Sequence, residues 1–307
     1  MPSTIVILGT GGTIAGTADS ASDNVGYTAA QRSVHQLLQS APGLAGQALE
    51  AEQVAQLDSK DMDITTWQAL ASRVARHLAR EDVQAVVITH GTDTLEETAC
   101  LLQAVLAPTK PVVLVAAMRP ATALAADGPQ NLQDAVAVAR TEGARGVVAV
   151  MAGVVHSGLL VRKAHPYRAD AFSSGDAGPL GVMEEGRLRQ FQPWPASTAL
   201  GTALLDRPAH QWPWVEIVSS HAAARADGVR ALVAAGVKGL VVAATGNGTV
   251  HHALQAALAE AQAAGVVVWR CSRCGQGSLV GAADEPAAGM TPWQARVTLM
   301  LALLGGA

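Results

Sequence analysis

The sequence predicts an α/β protein: a parallel-sheet amino-terminal domain followed by a second, smaller α/β carboxyl-terminal domain. Three observations carry that expectation. Short β-branched runs alternate with longer stretches of helical period. The alternation resumes after a polar, proline-bearing interval. Half of the 307 residues are hydrophobic and only 15% are charged, so the chain can bury a large core and divide into two domains. Strand and helix in alternation imply parallel strands with helices on both faces of the sheet.

Taken in order, Thr4 to Leu8, Ala85 to Thr89, Pro111 to Ala116 and Gly146 to Met151 read as strands. Helices are expected at about Thr65 to Ala79, Leu95 to Leu106 and Asn131 to Arg140. Three pairs carry the pattern of a side-chain cap answered three residues later by Glu or Gln: Thr28 with Gln31, Thr94 with Glu97, and Thr291 with Gln294 behind Pro292. From Gln190 to Pro213 the prolines at 193, 195, 208 and 213 oppose both helix and central strand. The expected division is therefore residues 1–189, a linker over 190–213, and residues 214–307. In the last of these, strands are expected near Val215 to Ser219, Gly239 to Ala243 and Val266 to Trp269, with helices near Ala226 to Ala235, Thr249 to Ala263 and Pro292 to Leu304. No fixed-period repeat is present.

Composition narrows the function. The formal net charge is −4, with no block of like charges, which argues against nucleic acid or an anionic membrane as partner and towards a small molecule. Cysteines at 100, 271 and 274 cannot all pair, as expected in a reducing compartment such as the cytoplasm. The amino terminus lacks a basic segment ahead of its short apolar run and reads as a first strand, not as a leader. Every apolar stretch is broken before the roughly 18 residues that a membrane span needs.

The first strand runs into Gly9-Thr10-Gly11-Gly12-Thr13-Ile14. Backbone without Cβ atoms thus sits at a strand's carboxyl end, where open α/β sheets bind ligands, and Thr13 projects there. A dinucleotide fingerprint is the competing reading. It fails at its third position, where Ile14 stands instead of Gly or Ala, and no P-loop lysine follows. A second loop, Thr89-His90-Gly91-Thr92-Asp93-Thr94, emerges at the same sheet edge. A hydroxyl beside a carboxylate can position water or a substrate amine, and a neighbouring lysine held out of water can take the hydroxyl proton. Capping or turn bonding is the ordinary role of such residues, and it is the expected one for Thr94.

Thr10 to Ala15 and the eleven residues Thr89 to Ala99 resemble the two signatures of the bacterial-type L-asparaginases and glutaminase-asparaginases. Ala117-Met118-Arg119-Pro120, Ala126 to Leu132 and Gly246-Asn247-Gly248 extend the similarity over nearly the whole chain. The resemblance implies hydrolysis of the side-chain amide of asparagine, with glutamine as a side substrate, through an acyl-enzyme on Thr13 and without a cofactor or metal. It implies Tyr27 as the loop residue that activates Thr13, one residue off the family spacing, and a cluster of Thr92, Asp93 and Lys163. It places Ser59 and Lys60 at the substrate's α-carboxylate, and adds Ala117 and Asn247 as substrate contacts. A homotetramer of intimate dimers follows from the same resemblance, with each site shared between subunits.

Two features depart from the family pattern. Lys60 stands where a glutamine or another neutral or acidic residue is common. The segment after Ser272-Arg273 is short and glycine-rich, leaving Asp284 and Glu285 as candidates for the acid that the family supplies in trans. Outside the resemblance, Cys271-x-x-Cys274 lacks two further ligands at zinc spacing, His251 and His252 suit a helix start, and His90 is expected to be buried and hydrogen-bonded. A non-catalytic amino-acid sensor would use Ser59 and Asp93 but needs no nucleophile with its activators. An amidotransferase subunit would need an additional amino-terminal domain.

Overall fold

The computed structural model describes residues 3–306; Met1, Pro2 and Ala307, which bound the amino-terminal and carboxyl-terminal readings, lie outside them. The chain divides into two compact units, Met1–Asp206 and Arg207–Ala307. In chain order the first contains β1 (Thr4–Gly11), α1 (Val34–Gln39), β2 (Leu49–Leu57), α2 (Ile64–Leu78), β3 (Val83–Thr89), α3 (Leu95–Leu106), β4 (Pro111–Val115) and α4 (Gly128–Ala139). These are followed by β5 (Gly146–Met151), β6 (Val154–Ser157), β7 (Arg162–Lys163), β8 (Phe172–Ser173), β9 (Gly181–Glu184) and β10 (Arg187–Gln190).

Eight of these strands form one sheet in the order β10-β9-β6-β5-β4-β3-β1-β2. The five from β5 to β2 are parallel, and both faces of the inner ones are buried. Ile5, Ile7, Val87, Val113 and Val148 pack with Val34 and Leu37 of α1 and with Leu132 and Ala135 of α4. The alternate residues Val6, Leu8, Ile88 and Leu114 are equally buried on the opposite face, as an alternating side-chain direction requires when both faces are covered. Each such aliphatic side chain contributes about 1.5–3 kcal/mol of burial. β6, β9 and β10 run antiparallel at one edge, so the sheet is mixed rather than wholly parallel. Short turns at Ala152–Gly153 and Glu185–Gly186, all at positive φ, reverse the chain where no crossover helix intervenes.

The second unit contains β11 (Val215–Ser219), α5 (Asp227–Ala234), β12 (Gly239–Ala244), α6 (His252–Ala263), β13 (Val267–Ser272) and α7 (Pro292–Gly305). Its sheet, β11-β12-β13, is parallel throughout. Leu240 and Val242 pack against Leu254 and Leu258 of α6. Thr291 and Gln294 close the expected reciprocal cap at the start of α7. His251 caps α6, its ring accepting from the Ala253 N–H.

Two expected caps are overturned. Thr28 starts no helix: its backbone N–H and C=O are both engaged by Thr17 in an antiparallel bridge, which holds it extended. The helix starts later, where Ser33 and Gln36 form the reciprocal cap. Thr94 precedes α3 but makes no cap bond, because its hydroxyl donates to the Ser59 carbonyl at 2.8 Å. Segment 190–213 carries two short 3-10 turns, Thr202–Asp206 and Ala209–Gln211. Leu200 and Gly201 donate from it to the Ala104 and Val105 carbonyls at the end of α3. Among the described residues no helix is long and apolar enough to cross a membrane.

Candidate active site

β1 lies between β2 and β3. The chain leaves β1 towards one neighbour and returns on its other side, which opens a crevice at the carboxyl ends of these strands. Four loops emerge there, after β2, β1, β3 and β4. They bring together Ser59, Thr13, the segment 89–94 and Ala117. Their approach is close enough to demand glycine. Gly12 has φ +81°, and a Cβ on it would fall on the backbone of Gly91; a Cβ on Gly91 would in turn fall on the Ser59 side chain. Gly12 and Gly91 therefore meet backbone to backbone, with the Ser59 side chain of the third loop packed directly against Gly91.

Thr13 lies in a 3-10 turn directly after Gly12 and is 8% exposed. Its Oγ1 is 2.7 Å from the hydroxyl of half-buried Tyr27. The loop bearing Tyr27 is tied down by the Thr17–Thr28 bridge and by bonds to the loop after β4: Ala121 N–H donates to the Gly16 carbonyl, Ala18 N–H to Thr122 Oγ1, and Leu124 N–H to the Ala21 carbonyl.

On the adjoining loop, Lys163 Nζ donates to Thr92 Oγ1 at 2.8 Å and to Asp93 Oδ1 at 2.6 Å. The lysine side chain is only 20% exposed while that of Asp93 is 50% exposed, so the ammonium is sequestered and the carboxylate remains open to a ligand. The Asp93 N–H donates to Ser59 Oγ at 3.2 Å, and Ser59 itself is buried. Asp127 accepts from the N–H groups of Met118 and Arg119, which fixes the loop carrying buried Ala117. Lys60 points outward: its side chain is 60% exposed and pairs with Asp61, whose bond holds the ammonium above the ordinary lysine range, with Asp58 and Asp93 adding to the effect.

Residues 4–195 match the family described as Asparaginase, N-terminal, and residues 214–307 match the Glutaminase/Asparaginase C-terminal domain. The chain belongs to the asparaginase family. It is 38% identical over 312 residues to the glutaminase-asparaginase of Pseudomonas fluorescens biotype A, covering 97% of this chain and 86% of that protein. It is also 38% identical over 311 residues to L-asparaginase 2 of Escherichia coli strain K12, covering 97% and 88%. The solved structure of a probable cytoplasmic L-asparaginase from Campylobacter jejuni superposes with a TM-score of 0.92 at 38% identity, over 98% of this chain and 95% of that one. The α/β architecture and the enzyme family read from the sequence thus hold.

In the second unit the family-like residues are bound differently. Asn247 is exposed, yet both ends of its amide are engaged by Val280: Nδ2 donates to the carbonyl at 3.0 Å and Oδ1 accepts from the N–H at 2.6 Å. Glu285 Oε1 accepts from the Arg270 N–H at 2.9 Å, whereas Asp284 is exposed. Cys271 of β13 is buried, and burial, with Glu285 adding to it, pushes its thiol up to about 12; Cys274 is exposed.

Two bracing groups escaped the sequence reading. Glu96, 7% exposed on the first turn of α3, accepts from the Lys163 backbone N–H at 2.7 Å and so anchors the two-residue strand that delivers the lysine. Its twin Glu97 and the helix-face pattern conceal that role. Thr98 bonds the ring of His90 at 3.0 Å. His90 itself is fully buried, as expected, and burial pushes its ring down to about 4.

Proposed function

We propose that this chain hydrolyses the side-chain amide of L-asparagine to L-aspartate and ammonia, with L-glutamine as a second substrate, through an ester on Thr13. The observation that carries this reading is the 2.7 Å bond between Thr13 and Tyr27 on a loop that abuts the one bearing Thr92 and Asp93. A hydroxyl held by a second hydroxyl next to a lysine-braced carboxylate suits covalent catalysis better than simple binding.

In the first step Thr13 Oγ1 bonds to the amide carbon and gives up its proton. The C–N bond breaks, and nitrogen leaves with that proton as ammonia. Water then attacks the ester carbon, releasing aspartate and restoring the hydroxyl. Tyr27 orients the Thr13 hydroxyl and relays its proton. Lys163 holds Thr92 beside the reacting carbon and presents Asp93 to the substrate's α-amino group. Ser59 offers its hydroxyl to the α-carboxylate, Ala117 lines the same crevice, and exposed Lys60 adds a long-range cation. No metal or organic cofactor enters this scheme.

We place the working enzyme in a homotetramer built from intimate dimers, with the boundary between its catalytic and carboxyl-terminal domains in the interval 190–213. Asn247 and an acid from the second domain would serve a neighbouring subunit's site. Asp284 suits that role better than Glu285, whose carboxylate already holds the Arg270 backbone. The cytoplasm is favoured by three free cysteines, one of them exposed, although a relative from Haemophilus influenzae is named a probable periplasmic L-asparaginase.

Purified protein should release ammonia from asparagine, and Thr13→Ala should lower kcat by at least about a thousandfold while leaving the melting temperature and oligomeric state unchanged. Absence of ammonia from both amides, with aspartate still bound in calorimetry, would turn the protein into a sensor. Retained turnover in Thr13→Ala would move the nucleophile to Thr92.

A further inference from the structure

Beneath the loop that bears Thr92 runs a line of polar groups with no exit to water. Trp67 Nε1 of α2 donates to Thr98 Oγ1 of α3 at 2.9 Å. That oxygen lies 3.0 Å from His90 Nε2, and His90 Nδ1 lies 2.7 Å from the Gly91 carbonyl. Trp67, Thr98 and His90 are 5%, 0% and 0% exposed.

The two ends of this line fix the direction of every proton in it. An indole N–H only donates and a carbonyl only accepts. His90 Nδ1 must therefore carry hydrogen to reach Gly91, leaving Nε2 as the acceptor of the Thr98 hydroxyl, which in turn accepts from Trp67. A ring protonated on Nε2 would place a donor against the Thr98 oxygen and leave the hydroxyl hydrogen to seek another acceptor in a buried site, at a cost typical of an unsatisfied polar group. Burial of the whole ring disfavours the cation for the same reason.

The far end of the line reaches the site. The Gly91–Thr92 peptide is trans, as are all the described peptide bonds, so its C=O and N–H point in opposite directions. With the Gly91 carbonyl drawn towards His90, the Thr92 N–H is turned away from the buried ring. The same peptide sets where Thr92 Oγ1 meets Lys163.

We infer that His90 is a positioning residue: held as the neutral Nδ1–H tautomer by Thr98 and Trp67, it sets the plane of the Gly91–Thr92 peptide and thereby the place of Thr92. The role in turnover rests on the amide-hydrolysis reading above, whereas the tautomer and the peptide orientation do not.

The test uses the full chain labelled with 15N at histidine and at the backbone, together with Thr98→Val, which keeps the volume but removes both the donor and the acceptor, and Thr98→Ser, which restores them. The wild-type His90 ring should show a protonated Nδ1 and a bare Nε2. In Thr98→Val the Nε2 signal and the Thr92 amide signal should both move, and kcat on asparagine should fall about tenfold with KM within twofold. Thr98→Ser should return all three towards wild type. A ring protonated at Nε2, a Thr92 amide that does not move in Thr98→Val, or a kcat within twofold of wild type would overturn the inference. Should Thr98→Val fail to fold, Trp67→Phe removes the first donor alone and is judged by the same signals. Should the wild type release no ammonia, the functional reading fails separately, and the ring and amide signals still decide the relay.

Discussion

The two units hold their family-like residues in opposite ways. In the first, Thr13 bonds to Tyr27 and Lys163 bonds to Thr92 and Asp93, while the backbone around them is braced by other side chains, namely buried Glu96 and half-buried Thr94 and Asp127. In the second, Asn247 and Glu285 are themselves the braces: the amide clasps Val280 and the carboxylate caps Arg270. A polar group that holds its own backbone must first be released to meet a ligand, which leaves a donor or acceptor unmatched unless the ligand replaces the bond. Division of labour between braces and working groups therefore separates the built site from its sequence-matched counterpart.

The largest expected effect breaks the first arrangement at its centre. Lys163→Met keeps the length of the side chain but removes the ammonium shared by Thr92 and Asp93. The value of kcat/KM on asparagine should fall by a factor on the order of a thousand, or about 4 kcal/mol of transition-state stabilisation. Steady-state kinetics beside a melting curve would check it; a loss below tenfold would show that the cluster is structural.

A second effect separates the units by acid. His90 and His156 are buried in the first unit, and burial pushes both rings down to about 4. In the second unit His210, His221 and His252 are exposed and His251 is half-buried. A folded value below the unfolded one of about 6.5 means that the unfolded chain binds these protons first. Stability is therefore complete above pH 6.5 and falls as pH drops towards 4, by as much as about 3 kcal/mol per ring. Urea midpoints between pH 7 and 4.5 should fall for the wild type and fall less for His156→Asn. Hydrogen exchange at low pH should open the first unit's amides earliest.

A third effect is smaller and concerns a brace alone. Glu96→Leu removes the acceptor of the Lys163 backbone N–H while retaining bulk. It should lower kcat about tenfold, some 1.4 kcal/mol, and Glu96→Gln, which keeps a carbonyl oxygen, should recover most of it. Equal losses in the two variants would mean that the charge of Glu96, not its hold on the strand, matters.

How much of this was legible in the sequence follows from the same division. Strands with both faces buried announce themselves as apolar, largely β-branched runs, and β3, β5 and β12 stand within two residues of their expected bounds. β2 stayed hidden because Leu49-Glu-Ala-Glu-Gln-Val-Ala-Gln-Leu is rich in helix formers; it is an edge strand whose Glu52 pairs with Arg76 of α2 and whose Glu50 pairs with Arg80 just past that helix. The Thr28 and Thr94 caps failed for one physical reason: a distant backbone group competed for Thr, Thr17 in one case and the Ser59 carbonyl in the other. The residues of the proposed site were visible through motif resemblance, which singles out residue types suited to that chemistry. Braces such as Glu96 and Thr98 were not, because any acceptor or hydroxyl on a helix face looks like ordinary amphipathic pattern until its partner is placed.

The smallest effect tests the second unit's side of the comparison. Glu285→Gln keeps an oxygen for the Arg270 N–H, so both kcat and KM should stay within twofold of wild type. Asp284→Asn removes an exposed carboxylate that holds no backbone and should raise KM for asparagine by about threefold to tenfold if it reaches a neighbouring subunit's substrate. The reverse ranking, read from steady-state kinetics at fixed protein concentration, would assign the acid to Glu285 despite its bond to β13. Two unchanged variants would remove both from the site and leave Asn247 to be tested in the same way, where Asn247→Ala must also free Val280. Its effect on KM is then informative only beside the melting temperature, because loss of two backbone bonds loosens the loop that carries Asp284.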